Sequence, residues 1–202
     1  MGSFTFLPVH AAGLYAAKGL PKVFDYVVSS YTPTLAALLS ANRHTMKRSN
    51  TARLLTISQP HTPHQNPLPG VTKEIDAIQA LECKAAQLRI TRLDDQGATV
   101  AAVLQHMKEC NWIHLACHGV QDAAKPTNSA FLLIDKPLTL KEIMKQSLSH
   151  AELAVLSACE TAKGDGNLPG EAIHLAAGML MAGYCKENIS EEPGLEPESL
   201  YH

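Results

Sequence analysis

Apolar residues along this chain fall into two kinds of run. Short apolar runs bounded by polar residues, Trp112–Cys117 and Leu153–Ala158, read as buried strands, and Ala52–Ser58 and about Gln87–Leu93 read as strands too. Between them, apolar residues return every three or four positions, the period of a helix with one buried face. Val71, Ile75, Ile78 and Leu81 mark one such helix, and Val100, Val103, Leu104 and Met107 a second. A third opens at Thr139, where Thr139 and Glu142 have capping-box spacing and Leu138 and Ile143 that of a hydrophobic staple. The stretch Glu171–Gly183 is apolar nearly all round, which suits a helix buried between a sheet and a further element. Nearer the start, Ser3–Val9 and Tyr26–Tyr31 are β-rich, and Thr32-Pro33 has the form of a helix opening. The segment Gln59–Gly70, with four prolines and two histidines, is a loop.

Strands alternating with helices predict an α/β fold around a mostly parallel sheet. In such a sheet the carboxyl ends of the strands carry the ligands. Two of the predicted strands end there on reactive residues: Trp112–Cys117 runs into His118-Gly119, and Leu153–Ala158 into Cys159. A cysteine beside a histidine is a candidate nucleophile and base, because the thiolate attacks a carbonyl and an imidazole near neutral pH can take and return the proton. Gly119 brings no side chain, so its backbone N–H and that of Cys159 are candidate oxyanion donors. No third residue that would orient the imidazole is evident.

Several blocks resemble one known family, the CHAT domains, which are caspase-like and separase-like cysteine peptidases. The blocks are His114-Leu115-Ala116-Cys117-His118-Gly119, Ser129-Ala130-Phe131-Leu132-Leu133, and Leu156-Ser157-Ala158-Cys159-Glu160-Thr161-Ala162 leading into Leu168-Pro169-Gly170-Glu171-Ala172. Upstream, Asp25-Tyr26-Val27-Val28-Ser29-Ser30-Tyr31-Thr32-Pro33-Thr34 and Leu68-Pro69-Gly70 are similar too. The resemblance runs from Phe4 to Tyr184 and implies a caspase-like three-layer sandwich with His118 and Cys159 as the dyad. It also implies a further apolar strand after the helix Glu171–Gly183. The sequence there is Cys185-Lys186-Glu187-Asn188-Ile189-Ser190, so the expectation is a sheet incomplete at its C-terminal end. The expected organisation is a domain over residues 1–184, with a β-rich segment at 1–31 and an α/β core at 52–184, then an acidic, disordered tail at 185–202.

Composition narrows the alternatives. At 202 residues, 46% hydrophobic and 18% charged, the chain can bury one core. A net charge of −2 leaves no polycationic footprint, so nucleic acid is not an expected partner. No apolar stretch reaches the ~18 residues of a membrane span, and Met1-Gly2-Ser3-Phe4 lacks the basic start of a secretory signal. Five cysteines without tight spacing fit a reducing, cytoplasmic setting.

No cofactor or metal is expected. His114 and Cys117 would leave a strand on opposite faces, and in Gly164–Pro169 a proline stands where a dinucleotide fingerprint has its third glycine. Asp165 and Asp135 are either turn aspartates or acidic groups at the rim of a substrate pocket, where they could pair a basic side chain. Two functions remain open. One is a cysteine endopeptidase acting on a protein or peptide substrate, under the control of a protein partner. The other is a catalytically inactive module that uses the same sheet to bind or regulate another protein.

Overall fold

In a computed structural model the described residues are 12–14, 21–27, 51–122, 124–146, 148–157, 171–184 and 186–189, without the side chains of 24, 171–174 and 186–189. The chain divides into two compact units, Met1–Thr32 and Pro33–His202. In the first, an antiparallel bridge joins Gly13 to Lys22, and a 3-10 turn over Val23–Asp25 follows. Tyr26 and Val27 come after that turn and are not in a strand. The predicted strand at Ser3–Val9 and the helix opening at Thr32-Pro33 lie outside the described residues.

Among the described residues the second unit is built on five parallel strands. They are β1 (Ala52–Ser58), β2 (Leu88–Asp94), β3 (Trp112–Ala116), β7 (Leu153–Leu156) and β8 (Lys186–Ile189), in the order β2-β1-β3-β7-β8. A small antiparallel sheet, β4 (His118–Val120), β5 (Ala130–Leu132) and β6 (Pro137–Thr139), branches off after β3. Parallel strands need crossovers, and four helices lie between them in sequence: α1 (Pro69–Glu82), α2 (Val100–Met107), α3 (Leu140–Met144) and α4 (Glu171–Ala182).

Alternation along the strands sorts residues onto two faces. Leu55, Ile57, Ile113, Leu115, Ala154 and Leu156 form the main core with α2, α3 and α4. On the opposite face Ala116 packs with Leu68, Val71 and Ile75 around α1. Helices on both faces of a parallel sheet make the α/β sandwich expected of a caspase-like domain. Thr56, His114 and Val155, in register across β1, β3 and β7, share the face turned to α1.

Local chemistry fixes where the helices begin and end. Pro69 starts α1 at a position where its missing N–H has no partner to lose. Thr99 Oγ1 accepts from Ala102 N–H at the head of α2. At α3 the capping box is complete: Thr139 Oγ1 accepts from Glu142 N–H at 3.2 Å, and the Glu142 carboxylate accepts from Thr139 N–H at 3.0 Å. The bond from Thr139 N–H lowers the Glu142 pKa, with the Thr139 hydroxyl and Lys136 adding smaller pulls. α4 stops at Gly183, whose φ of +117° a side chain would strain. Gly183 N–H bonds Leu180 O at 3.2 Å and Tyr184 N–H bonds Met179 O at 3.2 Å, the paired bonds of a Schellman ending.

Two expectations change. The strand over Trp112–Cys117 ends one residue sooner: β3 ends at Ala116, the chain bends at Cys117, and His118 opens a separate strand, β4. Cys117 is wholly buried in the main core, so its apolar character carries the hydrophobic run across the bend. Lys186–Ile189, assigned to a disordered tail on its polarity, is a strand paired in parallel with β7, Leu156 against Ile189. Among the described strands β8 stands last in the sheet order, and its pairing rests on backbone bonds to β7. Residues 190–202 lie outside the described residues.

Candidate active site

β3 and β7 are neighbours in the sheet, and the last registered pair is Leu115 with Leu156. Ser157 N–H then donates to Leu115 O at 2.9 Å, so the pairing reaches the carboxyl ends of both strands. His118 is three residues beyond Leu115, and Cys159 is three residues beyond Leu156. Cys159 and Asp165 lie outside the described residues, as does the Cys159 N–H named as an oxyanion donor.

His118 is 1% exposed. Its Nε2 stands 2.8 Å from the carbonyl oxygen of Asn66, in the loop between β1 and α1. A carbonyl can only accept, so Nε2 carries the proton, and in a neutral ring the lone pair belongs to Nδ1. The backbone of Asn66 is therefore the orienting group that no residue type in the sequence announced. The loop that presents it is tied down at both ends. Gln59 N–H donates to Ala116 O at 2.9 Å and Leu68 N–H to Pro60 O at 2.9 Å, while residues 63–67 between those anchors are exposed. Gly119 faces Phe131 in the β4–β5 ladder, directly after the histidine.

Asp135 is engaged at the start of a helix. Its Oδ1 accepts from Val100 N–H at 3.0 Å, so the carboxylate serves the first turn of α2. Among the described residues no group of histidine, cysteine and carboxylate side chains is arranged to hold a metal. Cys117, next to the candidate base, is a core thiol whose pKa burial pushes up to about 12.

A second polar cluster lies on the α1 face. Glu74 of α1 reaches two strands: Oε2 accepts from Ser157 Oγ at 2.9 Å, and Oε1 is 3.0 Å from His114 Nε2. The imidazole lies off the hydrogen-bond axis, so that contact is electrostatic rather than a well-aligned bond. Burial pulls the His114 pKa down, and the Glu74 carboxylate opposes it. A glutamate on a helix reads in sequence as part of a solvated face, and nothing in its spacing pointed to the sheet.

No curated protein matches the sequence. A crystal structure of a protein from Geobacter sulfurreducens is similar at 16% identity and a TM-score of 0.45, over 54% of this chain and 50% of that one. The chain thus spans about half the length of that neighbour. No helix among the described residues is long and apolar enough to cross a membrane. The CHAT domain family model matches residues 1–190. On that match the chain belongs to the CHAT domain family, which is caspase-like in character.

Proposed function

We propose that the chain is a cysteine endopeptidase domain in which Cys159 is the nucleophile and His118 the general acid and base. The observation that carries this reading is the β3–β7 pairing, Leu115 against Leu156, from which both residues follow at an equal distance along the chain. The Cys159 thiolate attacks the scissile carbonyl carbon, and the C–N bond breaks as imidazolium His118 protonates the leaving amine. Water then attacks the thioester with His118 taking its proton, the C–S bond breaks, and the acid leaves with the thiolate–imidazolium pair restored. The backbone N–H groups of Gly119 and Cys159 receive the oxyanion in both halves. Asn66 O supports this assignment, because by accepting from Nε2 it helps hold the imidazole in one orientation.

Asp165 is the acidic group proposed for the pocket rim, where a basic side chain of the substrate would pair with it. Asp135 is left out, since its carboxylate is engaged at Val100. The substrate is a protein or peptide and the setting cytoplasmic, in keeping with free thiols at Cys83, Cys110 and Cys117.

The burial of His118 favours a second reading, an inactive module that binds a protein partner. Under the peptidase reading the buried ring is a closed state, and substrate or an activating protein must displace its cover. A peptidyl acyloxymethyl ketone separates the two. Covalent labelling of the wild-type chain that disappears in both Cys159→Ala and His118→Ala supports the peptidase. Equal labelling of wild type and Cys159→Ala refutes it.

A further inference from the structure

Glu74 joins the two strands that lead to the proposed dyad. Its carboxylate accepts the Ser157 hydroxyl proton at 2.9 Å and lies 3.0 Å from His114. Ser157 is the residue at which the β3–β7 pairing ends, and Cys159 is two positions further on. His114 is on the strand that leads to His118 and is nearly buried, its side chain 6% exposed; Glu74 is partly exposed at 32%. A carboxylate acceptor makes the hydroxyl bond charge-assisted, stronger than a bond between neutral groups. The same segment of chain also carries Asn66, whose carbonyl holds His118. One stretch from Asn66 to Glu74 therefore contacts the histidine itself, the histidine strand and the end of the cysteine strand.

We propose that Glu74 is a positioning residue for Cys159, acting through the Ser157 hydroxyl. The carboxylate fixes the end of β7 against α1 and so sets where the chain delivers the cysteine relative to His118. Ser157 is the adaptor in this arrangement, and neither residue touches substrate. The inference rests on the reading of Cys159 as the nucleophile.

The test is the rate of Cys159 alkylation by iodoacetamide in the folded full-length chain, read at the peptide level by mass spectrometry. His118→Ala, Ser157→Ala, Ser157→Thr, Glu74→Gln and the double variant Glu74→Gln/Ser157→Ala are compared with wild type. Ser157→Ala should slow alkylation about tenfold, the scale of one charge-assisted bond. Ser157→Thr, which keeps the hydroxyl, should restore the wild-type rate, a rescue that a role in folding stability alone would not give. The double variant should be no slower than the slower single variant, because both remove one contact.

If His118→Ala slows alkylation while Ser157→Ala and Glu74→Gln leave it unchanged, the inference falls and the dyad stands. If His118→Ala has no effect, the dyad itself falls, and the inference falls with it. If Glu74→Gln fails to fold, the Ser157→Ala and Ser157→Thr pair decides, since removing one partly exposed hydroxyl leaves the Glu74–His114 contact in place.

Discussion

Asn111 fastens the amino ends of the three central strands, and Asn111→Ala tests how much that clamp contributes. The residue precedes β3 and is 3% exposed. Its side-chain Oδ1 accepts from Arg53 N–H at 2.7 Å, and its own N–H donates to Arg53 O at 3.1 Å. Its carbonyl accepts from Glu152 N–H at 2.8 Å and, less closely, from Leu153 N–H. The alanine variant keeps every backbone bond and loses one, leaving Arg53 N–H without its acceptor. An orphaned buried donor costs roughly 1–3 kcal/mol, and the exposed Arg53 residue lets water recover part of it, so the loss should be about 1–2 kcal/mol. At about 2–4 °C per kcal/mol for a chain of this size, the melting temperature should fall by roughly 2–8 °C. Urea unfolding should show a lower midpoint at constant slope. Because Ser157 N–H still pairs with Leu115 O at the far end, alkylation of Cys159 in the folded protein should not change. A stability loss below about 0.5 kcal/mol, within the range of an ordinary surface substitution, would refute the clamp.

Three further outcomes follow from packing and charge. A Cβ at Gly178 would lie 2.5 Å and 2.6 Å from the two methyl carbons of Leu140 and 2.9 Å from its Cγ. Gly178→Ala gains ~1 kcal/mol of helix propensity, but Leu140 is 2% exposed and cannot clear all three contacts by rotating. Overpacking of about 1–3 kcal/mol should make the variant less stable in urea, and a higher midpoint would contradict the close approach of α4 to α3. His114, whose folded pKa burial lowers from the ordinary 6.5, binds its proton more readily unfolded, so its contribution is intact above about pH 6.5 and is lost as acid takes the pH down through the folded value. Between pH 7.5 and 5 the wild type should therefore lose more stability than His114→Gln, and parallel profiles would overturn the assignment. Cys117, with a pKa of about 12 against 9.0 for an ordinary thiol, holds roughly a thousandfold less thiolate at neutral pH than an ordinary thiol would, and it is buried where Cys83 is exposed. A short iodoacetamide pulse should modify Cys83 and spare Cys117; rates within tenfold of each other in the folded chain would show that Cys117 is not sealed.

Periodicity made most of the second unit legible. The short strand-like run Ala52–Ser58, the three-and-four spacing from Val100 to Met107 and the Thr139–Glu142 pair each name an element that the structure contains, within a residue or so at the ends. Those signals come from side chains that must meet either a core or a backbone donor, so they are written in residue types. The parts that were missed lack such a signature. The bend at Cys117 is hidden by a residue as apolar as its neighbours, and β8 by polar residues whose strand identity rests on backbone pairing with β7. Asn66 contributes a carbonyl, which every residue possesses. Glu74 has the residue type and spacing of a solvent-facing helix position, and only the arrival of β3 and β7 beneath it makes it a contact.

The register of β7 is where sequence and site meet most directly. Ala154 and Leu156 are buried in the main core, while Leu153, Val155 and Ser157 are only partly covered on the α1 side. A slip of one residue would reverse that assignment, pushing Val155 and Ser157 into the core and lifting Leu156 toward Glu74. Burying the Ser157 hydroxyl without a partner and uncovering Leu156 would each cost on the order of 1–3 kcal/mol, so the alternation resists the slip from both faces. The Glu74–Ser157 bond forms only in the observed register and adds a third, polar constraint. The pattern that identifies Leu153–Leu156 as a strand thus also fixes which residue of β7 stands opposite Leu115, and with it the number of residues that separate the end of the sheet from Cys159.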